Sequence, residues 1–164
     1  MDIEHGSERE LLEAHLDDNR ATVIRKVSGL PRELAVRRLG PSPTSAAGIL
    51  KHLIDVERWW FRRNLAGEDW MSSWSTDEDP DGDFELLDDE GVESLVAQYE
   101  QACGESRRIA ARFELDDQCL RLHEGRSARP SLRWLYIHMI EELARHNGHL
   151  DIYRELLDGS TDRD

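Results

Sequence analysis

Four long stretches of helical periodicity, separated by strong breakers, leave this chain little alternative to an all-helical fold. The first opens at Ser7, which pairs with Glu10 as a capping box. It carries Leu12, Leu16, Val23 and Val27 on one stripe and stops at Gly29. Leu30 to Pro43 reads as loop, broken by Pro31, Gly40, Pro41 and Pro43. The second stretch starts at Thr44 or Ser45, repeats through Ile49, Leu53, Val56 and Trp60 to about Leu65, and ends before Gly67. Asp88 or Asp89 caps a third, with Val92, Leu95, Val96, Tyr99 and Cys103 as its stripe, fading near Phe113. The fourth runs from Ser131, behind Pro130, to about Leu157, with Gly159 beyond it. Phe113 to Arg121 alternates too weakly to define a sheet. The pattern predicts an all-α four-helix bundle, one domain over residues 1–164, with a long connection between the second and third helices.

That connection holds much of the charge. The 164-residue chain has a formal net charge of −14, and residues 66–90 contain eleven acids and no Lys or Arg. With Ser72, Ser73, Ser75, Pro80 and Gly82 in the same run, the segment is expected to be a solvated crossing. The acidity speaks against nucleic acid and anionic membranes as partners, since both call for a basic footprint. No apolar run is long enough to span a bilayer, and Met1 to Glu10 is polar and acidic, so a cytoplasmic protein is expected. Cys103 and Cys119 form no metal or disulfide motif, and Cys103 is expected to be a small buried hydrophobe. Residues 77–83, DEDPDGD, match the start of a calcium loop, with Asp88 at its twelfth position. The missing Glu at that position, Pro80 and the single copy favour a plain acidic loop. Trp59, Trp60 and Phe61 cover nearly the whole circumference of their helix, so an outward ring is available to a loop or to a second copy in a homodimer.

The fourth helix carries the chemistry. At about 100° per residue, with His138 at zero, Glu142 falls at about 40°, His146 at about 80° and His149 at about 20°. Leu135, Met139, Leu150, Tyr153 and Leu157 lie on the same arc, while Asn147, Asp151, Arg154 and Glu155 are expected outward. Buried polar groups must be compensated, by an internal hydrogen-bond network or by a divalent ion. Glu142 and His146, four residues apart, can reach one ion together. His52, the one histidine of the second helix, lies on its core stripe and points toward the same cluster. Two imidazoles and a carboxylate leave coordination positions open, as catalytic sites do. His15 and Asn19 flank the first stripe and either line this cavity or meet solvent. His5 and His123 are expected in solvent.

These residues resemble the DinB/YfiT-like superfamily of metal-binding bundles, which places one His in the second helix and an H-x-x-x-H or E-x-x-x-H pair in the last. The matches are His52 in GILKHLIDVERWWF and Glu142/His146 in IHMIEELARHNGHLDIYREL. The opening ERELLEAHLDDNRATVIRKVSGLP and the loop WSTDEDPDGDF extend the match over most of the chain. The carboxylate version is similar to the N-terminal domain of mycothiol-dependent maleylpyruvate isomerase, and the chain looks closest to actinobacterial members lacking that enzyme's additional C-terminal domain. The resemblance implies His52, Glu142 and His146 as ligands of a divalent metal, zinc first, with nickel or iron as alternatives. It gives His149 no ligand role, which leaves it as a catalytic proton shuttle, a substrate contact or a partner of the ligands, and His138 as another such partner.

Two classes of function follow. One is a metal-dependent enzyme that activates a low-molecular-weight thiol, such as mycothiol, or water against a small-molecule substrate, in a transfer or isomerisation. The other is non-catalytic: a metal- or ligand-binding bundle in stress response, or a bundle whose His/Glu cluster is only a polar core.

Overall fold

The computed structural model describes residues 4–86, 90–122 and 127–161. Its helices are α1 (Glu8–Val27), a one-turn α2 (Arg32–Ala35), α3 (Ala46–Glu57), α4 (Val92–Ala110) and α5 (Leu132–Asp158). Among the described residues there is no strand; Gln118 and Ser131 form one isolated bridge. α1 packs chiefly on α5 and α3 on α4, and the two pairs enclose one core that includes Leu16, Leu50, Tyr99 and Leu143. This is the expected all-α bundle.

The caps follow the sequence closely. Ser7 and Glu10 complete the capping box. Ser45 accepts from the Gly48 amide, Ser131 from that of Trp134, and Gly159 closes α5 in the left-handed region at φ 76°. The third start differs. α4 begins after Gly91, with no side chain capping it, and the expected caps Asp88 and Asp89 lie outside the described residues, as does His123.

Two features were not expected. First, α3 does not end as an α-helix. Arg58–Leu65 continues it as a π-helix, in which the Ala66 amide reaches the Phe61 carbonyl at 2.9 Å. Asn64 braces this wider turn from within, donating to the Trp59 carbonyl at 2.8 Å. Such segments are rare and frequent at functional sites. Trp60 and Phe61 turn into the core, while Trp59 stays half-buried under Arg63, whose guanidinium lies 4.8 Å from its ring centroid.

Second, the acidic crossing is not solvated throughout. Asp77, Glu78, Asp79 and Asp81 are exposed, but Gly82–Phe84 forms a 3-10 turn seated on α3. The approach is close enough that a Cβ on Gly48 would lie 2.4 Å from the Phe84 carbonyl oxygen. Lys51, buried on α3, fastens the rest. Its ammonium donates to the Glu85 carbonyl at 2.6 Å and to Glu90 at 3.0 Å, and sits 4.9 Å over the Trp74 ring. A buried ammonium needs such partners, so the crossing and Lys51 stabilise each other.

Candidate metal centre

α3 and α5 bring His52, Glu142 and His146 together. One ligand atom from each lies within 4.8 Å of the others, the one such cluster of His, Cys, Asp or Glu among the described residues. Glu142 Oε1 is 3.2 Å from His146 Nε2 and 3.9 Å from His52 Nε2. The hydrogen bond with His146, and the His52 imidazole nearby, hold the Glu142 carboxyl well below the usual carboxylate range.

Asp83, from the acidic crossing, completes the setting of His52. Its Oδ2 lies 2.6 Å from His52 Nδ1. The ring donates from Nδ1, so Nε2 is turned toward Glu142. Phe84 stacks on the other side, with ring centroids 4.4 Å apart and 16° between the planes. Burial disfavours a charge on His52, but the hydrogen bond to Asp83 and the nearby Glu142 carboxylate outweigh it and lift its pKa to about 9. A carboxylate behind a ligating imidazole is a frequent arrangement at metal centres, where it fixes the ring and raises its basicity.

The donor set suits a divalent cation. Two imidazole nitrogens and one carboxylate oxygen match zinc, and nickel or iron also accept them. His146 turns Nε2 toward Glu142, while its Nδ1 is buried with no hydrogen-bond partner.

The other sequence candidates take different places. His149 is exposed, its ring edge-on to His146 with centroids 5.7 Å apart. His138 stacks on Trp134 at 4.8 Å and meets Trp60 edge-on at 4.7 Å. His15 and His5 are exposed. Asn147, expected outward, is buried and donates to the Asn19 carbonyl and side chain on α1. The reason is the true position of the buried arc. Leu132, Leu135, Tyr136, Met139, Leu143, His146, Asn147, Leu150 and Tyr153 are the buried residues of α5. At about 100° per residue they span about 60° to 180° on the His138 scale. Glu142 thus lies just outside the arc, half-buried, and His149 beyond it.

Asp83 was hidden in the sequence by its acidic neighbours, with no spacing to single it out. The calcium-loop motif around it assembles no such cluster among the described residues, and its Asp83 serves His52 instead. A second missed pair is Arg20 and Glu57, joined deep in the core at 2.7 and 2.8 Å. A signal did exist there. Arg20 occupies the α1 stripe between Leu16 and Val23, and Glu57 lies four residues beyond Leu53.

Beside the cluster lies a cavity of about 260 Å³. Trp59, Trp60, Trp70 and Met71 form its apolar wall, while His52, Asp55, Ser72 and Asp83 contribute polar groups. Ser72 donates to Asp55. Burial, with Asp83 nearby adding to it, raises the Asp55 pKa.

Comparison with known proteins sharpens the resemblance. No curated protein matches the chain. The family model described as mycothiol-S-transferase matches residues 11–159, which take in all but the first turn of α1, then α2 through α5, and every residue of the cluster. The chain therefore belongs to the mycothiol-S-transferase family.

Proposed function

We propose that this protein is a divalent-metal-dependent S-transferase that joins a low-molecular-weight thiol, mycothiol by family, to a small electrophile. The observation that carries this reading is the convergence of His52, Glu142 and His146 from two helices into one cluster beside a cavity. The family match supplies the thiol.

S-transfer forms a bond between the thiol sulfur and an electrophilic carbon. Sulfur supplies both electrons, the thiol proton leaves, and the displaced pair goes to the leaving group or an adjoining π system. A divalent ion, if bound there, would supply Lewis acidity that lowers the thiol pKa toward neutral pH. His52, Glu142 and His146 would hold the ion, and Asp83 orients His52. Phe84, stacked on the His52 ring, limits water on that side. His149, exposed and edge-on to His146, would carry the thiol proton to solvent. Zinc suits the donor set best. The single-domain organisation, cytoplasmic location and homodimer expected from the sequence belong to the same proposal; no described helix is long and apolar enough to cross a membrane.

Two measurements test the reading. Elemental analysis of purified protein should find close to one transition-metal equivalent per chain, and His146→Ala should lose it. Transfer of a small thiol to a fluorogenic electrophile should stop on chelation and return when zinc is restored. Undiminished metal in His146→Ala, or transfer indifferent to chelation, would sink the reading.

A further inference from the structure

The cavity beside the cluster has a chemical bias that the family relationship does not supply. Its apolar wall of Trp59, Trp60 and Trp70 suits a flat ring, since indoles offer both area and π-faces that attract cations. Its polar side is acidic. Asp55 and Asp83 are 7 % and 5 % exposed, no Lys or Arg lines the cavity, and its one imidazole, His52, is paired with Asp83. Asp83 commits Oδ2 to His52, while its Oδ1 is buried with no hydrogen-bond partner. Asp55 receives one hydrogen bond, from Ser72. An unpaired buried carboxylate oxygen is costly, and a ligand that donates to it recovers that cost. The charge balance points the same way. A divalent ion would be neutralised by Glu142 and Asp83, leaving Asp55 in excess at the cavity wall. Arg58 acts on Asp55 electrostatically but does not line the cavity.

We propose that this cavity is the acceptor subsite and selects aromatic electrophiles bearing a protonated or N–H-donating nitrogen, the ring lying against Trp59 and Trp70 and the nitrogen donating to Asp55 and Asp83 Oδ1. Carboxylate-bearing acceptors, the class to which maleylpyruvate belongs, are disfavoured by the same two residues. The word electrophile rests on the thiol-transfer reading; the selection of an aromatic cation does not.

The test uses matched probes without chemistry. Phenethylammonium and 3-phenylpropionate, of similar size and opposite charge, are titrated into the full-length protein, metal-loaded and metal-free, with tryptophan fluorescence as the readout. Phenethylammonium should bind at least tenfold more tightly than 3-phenylpropionate in both forms. Asp55→Asn, which keeps an acceptor for Ser72, should cut that preference to about threefold or less, with helical circular dichroism unchanged. Equal affinity of the two probes, or tighter binding of the anion, overturns the proposal. So does an undiminished preference in a folded Asp55→Asn. If that variant does not fold, the comparison on native protein still decides. Because binding is read on metal-free protein as well, a chain that takes up no metal yet prefers the ammonium would sink the transferase reading alone.

Discussion

Asp83 shows how much a single side chain can depend on its fold. In sequence it is one acid among many; in space it is the group that sets the direction of His52. Asp83→Asn keeps the size and one acceptor but removes the charge that favours a basic imidazole. Metal affinity should weaken about 10- to 100-fold, as it commonly does when such a partner is changed. A chelator competition titration checks this, and unchanged affinity would show that Asp83 does not support the ligand. Cys103 gives a second prediction. Burial, then the neighbouring Glu57 charge, push its thiol up to about 12. A thiol whose folded pKa is raised stays protonated where the unfolded thiol ionises, near pH 8.5. Stability should therefore decline as pH rises above that value, and iodoacetamide at pH 8.5 should modify Cys103 only on unfolding. Mass spectrometry of native and urea-unfolded protein distinguishes the two. The cluster itself was legible in the sequence because helical spacing relates Glu142 to His146. Asp83 was not, because no local periodicity links a loop residue to a helix far along the chain.

At the scale of elements, most boundaries followed from caps and breakers. Ser7, Ser45, Ser131 and Gly159 each act where local chemistry places them. The π-helical end of α3 was not legible, because RWWFRRNL suits an α-helix equally well and the wider turn depends on packing. The outward assignment of Asn147 had a different cause. Drawing the arc through His138, Glu142, His146 and His149 gave too little weight to Tyr136 and Leu143, which widen the buried side. The seat of the crossing on α3 makes a prediction of its own. Gly48→Ala places a methyl group where the Phe84 carbonyl oxygen sits, so the 3-10 turn must lift or α3 must shift. The cost should be about 1–3 kcal/mol, the usual range for overpacking. Urea unfolding measures it. Metal affinity should fall with it, since Asp83 moves with the turn; a Gly48→Ala protein of native stability and affinity would contradict the close approach.

For the whole molecule, the core joins the two helix pairs through charge as well as apolar packing. Arg20 of α1 and Glu57 of α3 are both buried and paired in bidentate fashion. Removing one partner leaves the other uncompensated, so Glu57→Gln should destabilise by roughly 3–5 kcal/mol. Thermal and urea unfolding of the variant check this, and a loss below about 1 kcal/mol would show that the pair contributes little. Metal binding should act on the same scale, because the ligands come from α3 and α5 and are brought together only by folding. At a thousandfold excess over Kd, added zinc should stabilise the chain by about 4 kcal/mol. Differential scanning calorimetry with and without chelator would show the shift.

The division of the acidic crossing into a seated part and an exposed part bears on engineering. Gly82–Phe84 is committed to α3, while Asp77 to Asp79 form a surface tip closed by the Thr76 amide to Asp79 carbonyl bond at 3.0 Å. Extra sequence at a tip whose ends already lie close adds little loop-closure entropy. Residues 77–79 therefore offer an insertion point for an affinity tag or a fluorescent reporter, one that reads out the protein without altering the residues that line its cavity.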